Sequence, residues 1–437
     1  MKRNRQKNNY TSAFLLLITY LALASPSHSS ELKLNGFLSI AGYQGSSSEI
    51  GYKSILTNQH YSRNHQWEFD DLSLIGGQVN YQFNSQWELV SQIVLRNEWI
   101  SNEFDRIKIA TINYRPDSAW LFRLGRFYPR SFLMSESRSI GYAHPDILPV
   151  QDFYAQLPLP YIDGLDLTYT TRSEIGLLKF NLHLGQTEIA MDFVDTGETS
   201  TRFDNLVGIN GEIETGNWMF RLSYTQVEQM AQWRVATQIE DVFRLLANPA
   251  AFSPDNEFIP WLDGVNILNK IDEKGSVFKY LTLASEYTHD NLHVRSEVAY
   301  LSSGSFLLPD TRTGYMRFSY AYGAWTPFAI VSFINSEQGY SYTTTPDDNY
   351  LDALDAFYQQ DSRFILKVVS DFINPTYKQN TFALGMRWDF ARQQAFKFQY
   401  EHKRVKENAA GLWQKDRFAE TDAQSVNVFL VSYDRMF

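Results

Sequence analysis

Residues 69–98, FDDLSLIGGQVNYQFNSQWELVSQIVLRNE, hold two alternating runs joined by a short turn. In the first, Ile75, Gly77, Val79, Tyr81 and Phe83 share one face, and Gln78, Asn80 and Gln82 share the other. This is the period-2 signature of a strand with one apolar side. Asn84–Gln86 turns the chain, after which Trp87, Leu89, Ile93 and Leu95 alternate with Glu88, Gln92, Arg96 and Glu98. A soluble sandwich could bury the apolar face, but its strands usually run about 5 or 6 residues. These run roughly 10 to 13, the length of a tilted bilayer crossing.

Carried outward, the same reading places strands at 32–43, 106–115, 118–127, 162–172, 174–186, 205–214, 217–227, 279–288, 291–301, 314–322, 325–335, 380–391, 394–402 and 425–437, sixteen with the first two. Their connections alternate between short and long. Asn84–Gln86, Pro116–Asp117, Ser173, Thr215–Gly216, His289–Asp290, Gly323–Ala324 and Arg392–Gln393 are tight turns, each followed one strand pair later by a long connection. Outer-membrane barrels separate short periplasmic turns from long external loops in this way. An even strand number then leaves both termini on the periplasmic side. Aromatic residues gather beside the short turns, at Tyr81, Phe83, Trp87, Tyr114, Trp120, Trp218, Tyr287, Tyr322, Trp325, Phe390 and Phe396, where a headgroup girdle would sit. The expected fold is therefore an all-β, transmembrane antiparallel barrel of about 16 strands.

Within the long connections, Val235, Ile239, Val242, Phe243 and Leu246 precede Pro249 at helical spacing, and Leu351, Leu354, Phe357 and Tyr358 follow Asp347 and Asp348 at the same spacing. Both predict short helices in external loops. Phe364–Phe372 reads equally as helix or strand, and as a membrane strand it would change the count.

The bulk properties agree with an exported barrel. Lys2, Arg3, Arg5 and Lys7 precede the apolar run Ala13–Ala24, with small residues Ala22 and Ala24. Residues 1–24 thus read as a secretory signal, leaving a barrel over 25–437. Losing that signal moves the formal charge from −10 to −14, which argues against nucleic-acid binding and for acidic loops facing solvent. The chain has no cysteine, so neither a disulfide framework nor a thiolate metal site is expected. Aromatics are 15% of the residues, yet no stretch approaches a membrane helix.

The segment Phe127–Tyr161, FYPRSFLMSESRSIGYAHPDILPVQDFYAQLPLPY, breaks the alternation and holds five of the 14 prolines. Prolines fix φ and remove donors, so a loop of this length is neither a tight turn nor a free linker. It is expected to fold into the lumen as a constriction. The chain ends on Phe437, with Tyr433, Val431 and Phe429 on the same parity and Arg435 departing from it.

Gly125, Arg126 and Phe127 at a strand end, Gly141, Tyr142, Ala143, His144 and Pro145, then Pro149, Tyr154 and Pro158, together with Ala324–Phe328 and the terminal Phe437, resemble porin-like outer-membrane proteins of proteobacteria. The resemblance spans most of the chain as an architecture, with its specific residues mainly between 119 and 169. It implies the superfamily of general diffusion and phosphate-selective porins, typically 16-stranded trimers whose third external loop folds inward. By counting, the loop after the fifth strand is the third external loop here. Neither the acidic loop signature of general porins nor a dense basic run of the phosphate-selective kind is recognisable. The resemblance also implies recognition of the C-terminal strand by the barrel-assembly machinery, and contact with outer-membrane lipid and lipopolysaccharide.

With apolar residues facing lipid, the other parity faces the lumen and carries Arg96, Lys179, Arg221, Arg295, Arg317, Arg387 and Lys397, with Glu88, Glu98, Glu297, Asp389 and Glu401 among them. Charges of both signs belong there, since an Arg or Lys on the lipid face near the midplane costs about 2 to 4 kcal/mol. The loop offers Glu136, Asp146 and Asp152, and the wall beside it offers Arg96 and Arg123. A transverse field between these groups would set ion preference. The bland alternative is that the loop carboxylates pair with Arg130 and Arg138 to hold the loop's shape. Enzyme signatures (G-x-S-x-G, P-loop, G-x-G-x-x-G, H-E-x-x-H) are not found in the sequence. His289 and His293 straddle a turn, and Asp70 and Asp71 read as rim residues at a strand start. The expectation is a non-enzymatic channel in the bacterial outer membrane, without cofactor or metal, passing small hydrophilic solutes. The alternatives are a channel specific for an anion, sugar or organic acid, or a plugged barrel acting as enzyme or adhesin.

Overall fold

The structure is a computed structural model that describes residues 30–48, 50–54, 61–98, 103–155, 159–193, 197–231, 234–247, 260–269, 271, 274–305, 308–337, 344–358, 361–366, 377–407, 414–415 and 423–437. The expected signal segment lies outside the described residues. Sixteen strands form the barrel: β1 (Glu31–Gly45), β2 (Leu74–Gln82), β3 (Trp87–Arg96), β4 (Ile107–Tyr114), β5 (Trp120–Phe127), β6 (Ile162–Ser173), β7 (Gly176–Phe193), β8 (Gly197–Thr215), β9 (Trp218–Gln229), β10 (Val277–His289), β11 (Leu292–Ser302), β12 (Thr311–Tyr320), β13 (Trp325–Ser336), β14 (Lys378–Ala391), β15 (Gln394–Val405) and β16 (Gln424–Met436). Each pairs antiparallel with its sequence neighbours, and β1 closes the ring by pairing with both β16 and β2.

The alternation explains why the sheet closes this way round. Leu283 and Phe398 are each 54% exposed on the outside, while the inward Thr282 and Lys397 are buried. An apolar exterior around a polar interior suits lipid outside, and closure leaves no unpaired strand edge in it. No helix among the described residues is long and apolar enough to cross a membrane. The inward Gln78, Asn80 and Gln92 hydrogen-bond one another and Glu88. Beside the short turns the aromatics pair across strands: Trp87 with Tyr114 at 4.5 Å between ring centroids, Trp120 with Tyr169 at 4.6 Å, Trp218 with Tyr287 at 4.6 Å and Trp325 with Trp388 at 5.1 Å. At the closing seam, Phe437 and Gly36 exchange two backbone hydrogen bonds, of 2.7 and 2.9 Å. The Phe437 ring lies over Gly36, where a Cβ would come within 2.1 Å of it.

The expected helices are α2 (Arg234–Ala247) and α4 (Asp348–Tyr358), joined by α3 (Leu262–Leu268), while the four-residue α1 (Gln151–Tyr154) lies in the third loop. Ile239, Phe243, Leu246, Trp261, Tyr350, Leu351 and Leu354 form one apolar cluster with the strand residues Phe203, Val227, Phe278 and Leu301. This cluster covers the long-loop end of the barrel over β8–β11. Ile50–Gly51 pairs with Gln414–Lys415 and so ties the first long connection to the last.

Three expectations are revised. Residues 362–366 are helical and 367–372 lie outside the described residues, yet the barrel closes on sixteen strands without this run. β7 and β8 run past their expected ends as one long hairpin. A bulge between Phe203 and Leu206, with Asn205 at φ 52°, interrupts the alternation there and hides the continuation. Asp70 and Asp71 lie in a turn before β2 and not at a strand start. Asp71 is buried, accepting hydrogen bonds from Ser54 Oγ at 2.5 Å and Tyr43 Oη at 3.3 Å.

Candidate functional site

The third long loop leaves β5 through Gly125, whose φ of 126° few other residues adopt. It enters the barrel and lies against the inner faces of β9 and β11–β15, which serve its backbone as hydrogen-bonding partners. Glu297 accepts from the Leu133 amide at 3.0 Å, and Arg387 donates to the Tyr142 carbonyl at 2.6 Å. Lys397 donates to the carbonyls of Gly141 and Asp146 at 2.6 and 3.1 Å, and Gln399 accepts from the Ile147 amide at 3.0 Å. A buried loop needs such partners for its peptide groups. Val150 and Phe153 add apolar contact with Tyr315, Phe328 and Ile330 on the wall.

The loop carboxylates are engaged in this anchoring. Asp146 takes Arg317 Nη1 at 2.5 Å, both side chains being almost fully buried. Asp152 accepts from Ser332 Oγ at 2.7 Å and Gln379 Nε2 at 2.6 Å, and its own carbonyl accepts from Thr313 Oγ1 at 2.6 Å. Glu136 remains half-exposed and pairs with Arg123 at 3.0 Å and Arg130 at 3.1 Å, while Arg123 also holds Asp166 at 2.8 Å. On the wall, Arg221 pairs with Glu212 at 2.5 Å, Arg295 with Glu286, and Arg387 with Asp389 at 2.7 Å.

Environment separates the loop's titratable groups. Burial raises the carboxyl of Asp146, but the Arg317 guanidinium, together with His144, a backbone hydrogen bond and Lys397, outweighs it and holds the group below the ordinary carboxylate value. Burial dominates at Asp152 and leaves its carboxyl raised, against the opposing pull of Lys403 and of the Ser332 and Thr381 hydroxyls. His144 is pushed down to about 3 by burial. Its neutral ring presents Nε2–H to the Ser137 carbonyl at 3.2 Å.

Between the loop and strands β1–β4 lies a cavity of about 210 Å³. Of the five expected constriction residues, Arg96 lines it; Glu136, Asp146, Asp152 and Arg123 do not. Lys108 and Arg138 line it as well, and neither was singled out as a site residue from the sequence. Lys108 is the extra residue of a bulge, where the β3 pairing steps from Gln92–Ile109 to Ile93–Ile107. Strict alternation would aim it at lipid. It turns inward instead to meet Glu98 at 2.6 Å. Arg138, read as a partner for loop carboxylates, donates to the carbonyls of Leu159 and Pro160 at 3.0 and 2.9 Å. That pairing depends on how the loop folds back on itself, which residue spacing does not encode.

A closed barrel with an apolar exterior, two long-loop helices packed at one end and a loop drawn into the lumen defines an outer-membrane β-barrel protein of porin architecture. Solved structures share this fold. An anion-selective porin from Comamonas acidovorans superposes with a TM-score of 0.50 at 10% identity, covering 94% of this chain and 100% of that one. Salmonella typhi OmpF, in complex with daunomycin, gives 0.50 at 9% identity over 94% and 98%. OmpT, an outer-membrane protein of Vibrio cholerae, gives 0.50 at 12% identity over 94% and 98%. No known family's sequence profile matches the chain, and a search of curated proteins finds no match either.

Proposed function

We propose that the protein is a porin-like channel for passive diffusion of small hydrophilic solutes and ions across the bacterial outer membrane. The reading rests on one observation: the loop is fastened inside the lumen, and a cavity with charged lining lies between it and the β1–β4 wall. Barrels of this strand number enclose an aqueous channel unless something fills them, and charges around the narrowest part set ion preference. Arg96 acts directly on permeating ions. Glu136 and Arg123 contribute to the field from the loop base, and Asp146 and Asp152 act by holding the loop in place. Arg221, Arg295, Arg317 and Arg387 supply the lumen wall on which the loop rests. No catalytic step and no cofactor enter this mechanism.

The chain is proposed to work as a homotrimer in lipid and lipopolysaccharide, delivered after removal of residues 1–24 and folded by the assembly machinery through its C-terminal strand. Planar-bilayer recording of the refolded mature protein tests the channel reading. Conductance steps in threes support an open trimer, and Arg96→Gln should shift ion preference toward cations. A barrel that carries no current in any salt would overturn the reading.

A further inference from the structure

The cavity between the loop and β1–β4 has an uneven lining. One part is apolar: Ala41 of β1, Leu72 before β2, and Ile147 and Leu148 of the loop pack into a common cluster and also line the opening. Another part is basic, with Arg96, Lys108 and Arg138 converging on it. Three of the four carboxylates that reach the lining, Glu98, Asp105 and Asp434, are paired. Glu98 holds Lys108 at 2.6 Å, Asp105 lies 3.6 Å from Arg126 and accepts from Tyr161 Oη at 2.8 Å, Asp434 holds Lys397 at 3.0 Å, and Glu188 lies in register opposite Arg202. Two further cations, Arg96 and Arg138, share Glu98 with Lys108 only at longer range. Arg96 and Arg138 form no ion pair among the described residues, and the Nε of Arg96 is enclosed without a hydrogen-bond acceptor. The loop's own Asp146 and Asp152, which could have neutralised them, are turned onto the far wall.

Resting on the channel reading above, we infer that this passage selects compact amphipathic organic anions, a carboxylate on an apolar body, over sugars, polyhydroxy acids and organic cations. A guanidinium with unused donors receives a carboxylate in charge-assisted hydrogen bonds. An apolar wall rewards burial of a hydrocarbon or ring face and offers nothing to a hydroxylated one. The size agrees: an apolar cavity of about 150 Å³ holds a benzene ring, and this passage measures about 210 Å³. A single aromatic ring bearing one carboxylate fits that space and meets both kinds of wall.

Benzoate is the probe, with gluconate as an anion lacking an apolar body and benzyltrimethylammonium as the same ring with the opposite charge. Potassium chloride current through the full-length mature protein in planar bilayers is recorded while each is added. Benzoate is expected to reduce the current saturably, at concentrations where the other two have little effect. Arg96→Gln and Arg138→Gln should each raise the half-blocking concentration about tenfold, the equivalent of roughly 1.4 kcal/mol. Arg138→Lys keeps the charge and should recover part of the loss, which separates recognition from a misfolded loop. Leu148→Asn should weaken benzoate block several-fold while leaving block by inorganic phosphate where it was. A conducting barrel in which benzoate and gluconate act alike would overturn this inference and leave the channel reading standing. A barrel that never conducts would overturn both.

Discussion

Replacing Arg317 by methionine isolates the strongest single fastening of the inward loop. The Arg317–Asp146 pair is 2.5 Å long, with side chains 2% and 0% exposed. Removing one member of such a pair strands the other's charge, at about 3 to 5 kcal/mol. The other cations within electrostatic reach of Asp146 are engaged elsewhere, Arg295 with Glu286. Lys397 donates to the Asp146 carbonyl and pairs with Asp434, and His144 is neutral. Arg317→Met should therefore destabilise the barrel by about 3 kcal/mol, and Asp146→Leu by a similar amount. The double variant removes both charges and fills the space with hydrocarbon, so it should return to within about 1 kcal/mol of the parent. Urea unfolding of the refolded protein in lipid vesicles measures all four forms, and single-channel noise reports the loop's freedom in each. Destabilisation of the double variant by the sum of the singles would refute the reasoning, since it would mean the two groups act independently.

The remaining fastenings make their own predictions. Asp152 has a carboxyl raised by burial, so its neutral form suits the fold. The stability it contributes is complete below the ordinary carboxylate value of about 4 and is lost as pH rises through the folded value. Asp152→Asn should thus be at least as stable as the parent at pH 7 and lose that advantage at pH 4, which thermal unfolding at both values checks. Glu297 accepts from the Leu133 amide, Tyr315 Oη at 2.7 Å and Tyr154 Oη. Glu297→Leu strands these donors, and at about 1 to 3 kcal/mol per unsatisfied group the loop should come loose, seen as faster proteolysis between 128 and 161. At the seam, Gly36→Val must displace the Phe437 ring. A loss of about 1 to 3 kcal/mol from overpacking should appear as a lower refolded fraction by heat-modifiability on gels, and an unchanged fraction would count against the ring's role in closure.

How far the sequence reaches depends on whether a signal repeats. Sixteen strands were legible because each repeats the same lipid-facing period, and Phe69–Glu98 alone displays it twice with its turn. The helices of the long loops were legible because Ile239, Phe243 and Leu246, and again Leu351 and Leu354, keep the 3.6-residue period and are buried in one cluster. Single irregularities were not. One extra residue in β4 turns Lys108 from the lipid face to the lumen, and a bulge near Asn205 hides the length of β7 and β8. The direction of the loop carboxylates was beyond reach for a different reason. Asp146 and Asp152 point where Arg317, Ser332 and Gln379 wait for them, partners 171 or more positions away in the chain.

A subtler signal does mark which wall the loop covers. Inward positions of β2 carry Gln78, Asn80 and Gln82, polar as a wet lumen requires. Inward positions of β13 carry Phe328, Ile330 and Ile334, all buried, and Phe328 and Ile330 pack against Val150 and Phe153 of the loop. A strand apolar on both faces is covered on both faces, so in β13 the lipid lies on one side and the loop on the other. The contrast runs position by position, since β1 also turns Phe37, Ala41 and Tyr43 inward, buried in clusters that Ile140, Ile147 and Leu148 of the loop pack against. The lumen parity is therefore two populations, one facing water and one facing the loop. Apolar inward positions thus mark where the loop rests on the wall, residue by residue and not strand by strand.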